Sequence, residues 1–235
     1  MEDLYRAVSP GLEFIERDDE TPKMRGAFTV FNRWTEIDSA FEGHFVERIQ
    51  PGAFTKTIKE NLPKIRVLFS HGKDPQIGIK PLGTIDVLRD DASFEVSLLD
   101  APYVTSLVPA MKAGLLGASF HASVVKMDED LNPKRSDFNR EAIPERTYTE
   151  LRLREFGPTP FPKIDGTEVV VRSMTDEVVF ANLLSNPDQI RKLMAEGAAT
   201  LDREEPDPST PDEESRRTQQ EAETREEEKP SWLLS

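Results

Sequence analysis

The chain has 235 residues, no cysteine and three histidines. Without thiols there is no disulfide scaffold, no cysteine nucleophile and no Cys-ligated zinc or iron–sulfur site. His44, His71 and His121 are scattered, with no H-x-x-x-H pair, so a zinc site is not expected. No apolar run reaches the roughly 18 residues that cross a bilayer, and the N-terminal "MEDLYRAVSPGLEFIERDDE" lacks the apolar stretch of a signal peptide. The sequence is therefore read as a soluble intracellular protein with no membrane partner. No glycine-rich phosphate loop follows a strand. Basic charge is also short: 30 Lys and Arg against 44 Asp and Glu leave a net charge of −14. Nucleic acid is an unsuitable main ligand for such a chain, because phosphate binding needs a basic surface.

The acidic excess is uneven. Residues 202–229 carry twelve acidic against five basic residues, half the net charge, and almost no apolar side chains. This composition predicts a disordered tail, closed by the small apolar "SWLLS". Ahead of it, "NPDQIRKLMAEGAA" (186–199) predicts a helix capped by Asn186 with proline in its first turn. The organisation expected is an N-terminal arm over 1–24, a folded domain over 25–182, and a helix with an acidic flexible tail over 183–235.

Within the domain, strands are predicted at 25–34, 64–71, 77–88, 92–100, 117–126 and 147–156. Helices are predicted at 51–60 and 102–114, the second ending on Gly114 as a C-terminal cap. Residues 39–50 read as a loop or short strand, 127–146 as a long loop, and "GPTPFPKIDG" (157–166) as a break. "TEVVVRS" predicts one more strand and "TDEVVFANLLS" a helix. Many strands with a few short helices give a mainly β, α+β protein, a β-barrel or sandwich with peripheral helices.

Candidate chemistry lies on those strands. Between 117 and 126, Ala118, Phe120, Ala122 and Val124 make an apolar face, so Ser119, His121 and Ser123 point the other way, toward a cleft or water. Ser119 and His121 do not make a catalytic pair. At about 3.3 Å rise per residue their Cβ atoms stand roughly 6.5–7 Å apart with side chains running parallel. His71 ends an apolar strand and opens "HGKDPQIG", where a rigid scaffold can hold a catalytic group or a turn histidine can cap the backbone. Alternation over 147–156 puts Glu155 in line with Leu151 and Leu153. There it needs a buried partner, unless the strand end lets it reach solvent. A serine needs a base to become a nucleophile, and the base needs an orienting acceptor. His44, in "FEGHFVER", reads as a surface-loop residue.

Four stretches in order, "FVERIQPGAFTKTI" (45–58), "VLFSHGKDPQIGIKPLGTI" (67–85), "LLGASFHASV" (115–124) and "LREFGPTPFP" (153–162), resemble the motifs of the tailed-phage prohead (capsid maturation) protease family. The resemblance covers about residues 25–162. It implies a serine endopeptidase with a fold similar to the herpesvirus assemblin protease, a β-barrel ringed by helices. His71 matches the family's general base, Ser119 its nucleophile in the G-x-S motif, and Glu155 the acid that orients the histidine. The herpesvirus relatives use a second histidine as the third member, a role open to His121 or His44. Three departures bear on the shape of the site: Gly72 follows His71 where Asp is frequent, His121 stands where Gly is common, and "EFGPT" replaces the usual segment at Glu155. The implied substrates are the scaffold, or the scaffolding segment of the major capsid protein, and the protease itself. They are cut inside the assembling prohead in the host cytoplasm, with no metal or organic cofactor. A homo-oligomer is expected. The alternative is a catalytically inactive capsid assembly or scaffolding protein with the same fold. The tail is then either a targeting or self-cleaved segment or a solvated extension without a role. Normal packaging and maturation by a chain truncated at residue 199 would exclude targeting.

Overall fold

The computed structural model describes residues 3–9, 12–16, 21–160, 170–188, 190–192 and 194–195. The chain divides into two compact units, 1–182 and 183–235. In the second, the described residues from 187 to 195 are helical. The expected disordered tail and its "SWLLS" end lie outside the described residues.

The first unit is two sheets and short helices. The larger sheet contains β1 (Asp3–Ser9), β4 (Thr35–Ser39), β5 (Gly43–Ile49), β6 (Arg66–Val67), β9 (Leu116–Asp130), β10 (Glu145–Pro160) and β11 (Val170–Ser173). Its order is β11-β1-β9-β10-β5-β4, with β6 also pairing with β10. The smaller sheet is β2 (Leu12–Ile15), β3 (Lys23–Ala27), β8 (Ser93–Leu98) and β7 (Gly83–Leu88), in the order β2-β3-β8-β7. The arm expected over 1–24 is thus partly sheet. β1 runs antiparallel between β9 and β11, with Leu4, Ala7 and Val8 buried. β1 and β2 are too short for alternation to stand out from a charged, proline-bearing stretch. The β7–β8 hairpin forms as expected, and β9 and β10 extend well beyond their predicted limits, to 130 and 160.

The larger sheet curls without closing. In a flat sheet β11 and β4 would lie five strand spacings apart, about 24 Å. Instead, Ser173 Oγ on β11 donates to Glu42 Oε2 just beyond β4 at 2.5 Å, and Ser39 Oγ on β4 donates to Asp176 Oδ1 at 2.5 Å. No backbone ladder joins the two edges. The barrel expectation is therefore corrected: the protein is mainly β with peripheral helices, in two sheets, with no closed barrel. Side chains close the gap. Arg6, 1% exposed, forks onto Glu47 (Nε–Oε1 2.6 Å, Nη2–Oε2 2.7 Å) and reaches Glu42 at 3.0 Å. Burial works against its charge, but Glu47 and then Glu42 hold the guanidinium protonated more firmly than in water.

The core fills the space between the sheets. Phe28 meets Phe54, Phe120 and Phe156 at centroid distances of 5.2, 5.7 and 5.5 Å, and Phe94 of the small sheet meets Phe156 at 4.9 Å. Phe54 leads into α1 (Thr55–Asn61), as predicted. The 102–114 helix is split into α2 (Pro102–Thr105) and α3 (Val108–Lys112). Pro109 lacks the N–H that would bond back into the first helix. Gly114 follows at φ +66°, the left-handed cap expected of it. After β11, α4 (Thr175–Leu184) carries Asp176 and Glu177 in its first turn, where carboxylates suit the helix dipole.

Candidate active site

The two faces of β9 divide as the alternation predicts. Ala118, Phe120 and Ala122 are fully buried in the core. Ser119 and His121 lie on the opposite face. Register fixes their neighbours: Tyr5, His121 and Glu155 form one row across β1, β9 and β10, and Ala7, Ser119 and Gly157 form the next.

Glu155 reaches that face through a β-bulge. Leu153 pairs with Ala122 and Glu155 with His121, leaving Arg154 as the extra residue. The inserted residue reverses the parity of the strand. Leu151 and Leu153 stay in the core, whereas Glu155 points away from it, contrary to the expectation from strict alternation. Arg154 Nε donates to Ser123 Oγ at 3.1 Å on the same side.

His71 arrives from the segment after β6. Ser70, His71 and Gly72 have φ of +44°, +57° and +70°, three consecutive left-handed residues. Each non-glycine member costs about 1–3 kcal/mol, strain that tends to gather at functional sites. Hydrogen bonds from Gly72 N to Phe69 O (2.8 Å) and Lys73 N to Ser70 O (2.9 Å) hold the turn. The segment crosses β10 at Gly157. A Cβ there would lie 2.0 Å from Leu68 O, so only glycine allows the crossing. That glycine is the middle residue of "EFGPT".

The crossing delivers the imidazole to the carboxylate: His71 Nδ1 and Glu155 Oε1 are 2.7 Å apart, with His71 7% and Glu155 5% exposed. A carboxylate accepts, so Nδ1 carries the hydrogen of this contact, and Nε2 is the ring nitrogen that can serve as a base. Nε2 is buried and has no hydrogen-bond partner among the described residues, as is the case for Glu155 Oε2. Ser119 has no exposed surface, and its Oγ donates to Gly157 O at 3.2 Å. It is flanked by Gly157, over which Leu68 passes, and by Ala7, against which Met174 packs.

The other histidines take different places. His121 stacks on Tyr5 (4.2 Å between centroids, 16° between planes), and its Nε2 lies 3.3 Å from Asp3 Oδ1. Burial lowers its pKa, against the pull of Glu155 and Asp3. His44 is on β5, not in a loop, and faces solvent beside Glu36 at 2.8 Å. Tyr5, unforeseen from the sequence, also meets His71 edge-on at 5.2 Å. A groove of about 410 Å³ opens beside His71, lined by apolar Phe69, Pro160, Met174, Val178 and Ala181 together with charged Lys73, Asp74, Arg172 and Glu177. Among the described residues, no group of three His, Asp or Glu is placed to hold a metal ion, and no helix is long and apolar enough to cross a membrane.

The family model identifies the class as serine protease. More particularly, residues 12–179 match the model of the caudovirus prohead serine proteases, and the chain belongs to that family. It is thereby a protease of phage capsid maturation, with capsid proteins of the assembling prohead as its substrates. No curated protein and no solved structure matches the chain significantly.

Proposed function

We propose that Ser119 is the nucleophile, His71 the general base and Glu155 the acid that orients it, in a maturation protease cutting the scaffold or the scaffolding segment of the major capsid protein, and itself. The supporting observation is the buried 2.7 Å contact of His71 Nδ1 with Glu155, one strand row from Ser119. The protease unit takes in β1 as well as residues 25–182. The helix and acidic flexible tail expected over 183–235 are counted apart from it. A fold similar to that of the assemblin protease is part of this reading.

In this reading Ser119 Oγ releases Gly157 O and turns to Nε2. Apo catalytic contacts are often loose and tighten on the substrate complex. Oγ attacks the peptide carbonyl carbon as Nε2 takes its proton. The imidazolium then holds its Nδ1–H on Glu155. When the tetrahedral intermediate collapses, Nε2–H passes to the leaving amine, and water, deprotonated by the same nitrogen, frees the acyl group. Glu155 keeps the ring in the tautomer this requires and stabilises its charge. The groove beside His71 offers Phe69, Pro160, Met174, Val178 and Ala181 to an apolar part of a substrate, with Lys73, Asp74, Arg172 and Glu177 beside them for polar groups.

The test is co-expression with the major capsid protein, wild type against Ser119→Ala, followed by intact-mass measurement. Shortening of the capsid protein and of the protease in the wild type alone is the expected result. Cleavage that survives Ser119→Ala removes the nucleophile assignment. One observation favours the second reading, an inactive assembly protein: Ser119 is sealed and bonded to Gly157 O rather than to His71. Intact capsid protein and intact protease in the wild type would establish that reading.

A further inference from the structure

His71 stands on a turn that does little to aim its ring. Three left-handed residues fix the backbone, but the imidazole can still pivot about its single hydrogen bond to Glu155. A second contact, at an angle to that bond, is what stops a pivot. Among the described residues, the one aromatic ring that contacts His71 is that of Tyr5, edge-on at 5.2 Å and 85° between planes. The same ring lies flat on His121 at 4.2 Å. It is fixed from below by register, because Tyr5 pairs with His121, which pairs with Glu155. Asp3, two residues earlier on the same face of β1, accepts from Ser123 Oγ at 2.9 Å and so ties the strand to β9. Tyr5 and Asp3 also lie outside residues 12–179, the part of the chain that matches the family.

We propose that Tyr5 is a positioning residue: its ring, wedged between His71 and His121, holds the His71 imidazole in the orientation that keeps Nδ1 on Glu155 and aims Nε2 at the serine. The site is then incomplete without strand β1. The proposal rests on reading His71 as the base. The phenol acts as a ring and not as an acid. Burial, Asp3 and Glu155 push its pKa up to about 12, so it stays protonated across the working range.

The test reads the imidazole itself by NMR, in wild type, Tyr5→Leu and Tyr5→Phe. The wild type should show nuclear Overhauser contacts between the Tyr5 ring protons and the His71 ring, and a single Nδ1–H tautomer with its proton held on Glu155. Tyr5→Leu should lose the held proton and average the tautomers, and Tyr5→Phe should restore both. If Tyr5→Leu does not fold, Tyr5→Met, which has bulk but no flat ring, takes its place. No Tyr5–His71 contact in the wild type, or an unchanged Nδ1–H signal in the leucine or methionine variant, overturns the proposal. With peptides spanning the capsid-protein cleavage sites, Tyr5→Leu should lower kcat between about 10- and 100-fold at unchanged KM, rescued by Tyr5→Phe. A rise in KM alone also overturns it. An inactive wild type would defeat the protease reading, while the NMR comparison still decides the role of Tyr5.

Discussion

Gly157→Ala places a methyl group where the chain bearing His71 crosses β10. The added Cβ would sit 2.0 Å from Leu68 O, 2.9 Å from Leu68 C and 3.0 Å from Leu68 N. These three nearest atoms all belong to backbone, so no side-chain movement relieves them. Ordinary contact begins near 3.4 Å, so the two backbones must part by about 1.4 Å. The 3.0 Å bond from Leu68 N to Phe156 O lies at this crossing and would be strained first. His71 is three residues further on. Carrying even 1 Å of that displacement to Nδ1 stretches the 2.7 Å contact with Glu155 past hydrogen-bonding range. A misplacement of that size costs about 10²-fold in rate, and forcing the overpacked crossing costs about 1–3 kcal/mol of stability. The assay is the rate of capsid-protein cleavage together with a denaturant titration. Gly114→Ala is the control: its φ of +66° also penalises a side chain, at about 1–2 kcal/mol, but nothing lies within 4 Å of the added Cβ. Equal cleavage by Gly157→Ala and wild type, with stability unchanged, would refute the argument that this glycine seats the base.

Two other outcomes follow from the same geometry. Glu47→Leu strands most of the charge of a fully buried Arg6 and should cost about 3–5 kcal/mol, toward the lower end because Glu42 remains within reach. The double variant Arg6→Met/Glu47→Leu should recover much of that loss, measured by denaturant midpoint. The pKa of His121 is lowered by burial in the folded protein, so the unfolded chain binds its proton first. Its contribution is fully present above the unfolded value of about 6.5 and is lost as pH falls through the lower folded value. His121→Phe should remove that part of the pH dependence, and a slope identical in the two proteins would contradict it.

The parity of β9 was legible because seven consecutive residues, 118–124, alternate cleanly, so Ser119 was placed opposite the core from the sequence alone. Glu155 was found as a residue but assigned to the wrong face. A single bulge at Arg154 inverts everything after it, and period-two reasoning has no means of counting the extra residue. "EFGPT" was read as a departure in the motif. Its glycine is a steric requirement set by Leu68, which approaches from more than eighty residues upstream. Tyr5 was missed for a related reason. Its role comes from pairing with His121, a contact between β1 and the distant central strand β9, and short strands leave little periodic signal. The expected barrel failed at its last step, since strand content does not say whether two edges meet by ladder or, as here, by Ser39, Glu42, Ser173 and Asp176.

The most direct measurement is covalent labelling with a fluorophosphonate, located by peptide mass spectrometry, on the full chain in assembling proheads. The account predicts one phosphonylated residue, Ser119, with no label in His71→Ala and slowed labelling in Glu155→Gln. A label on another residue, or labelling of Ser119 at the wild-type rate in His71→Ala, would contradict it.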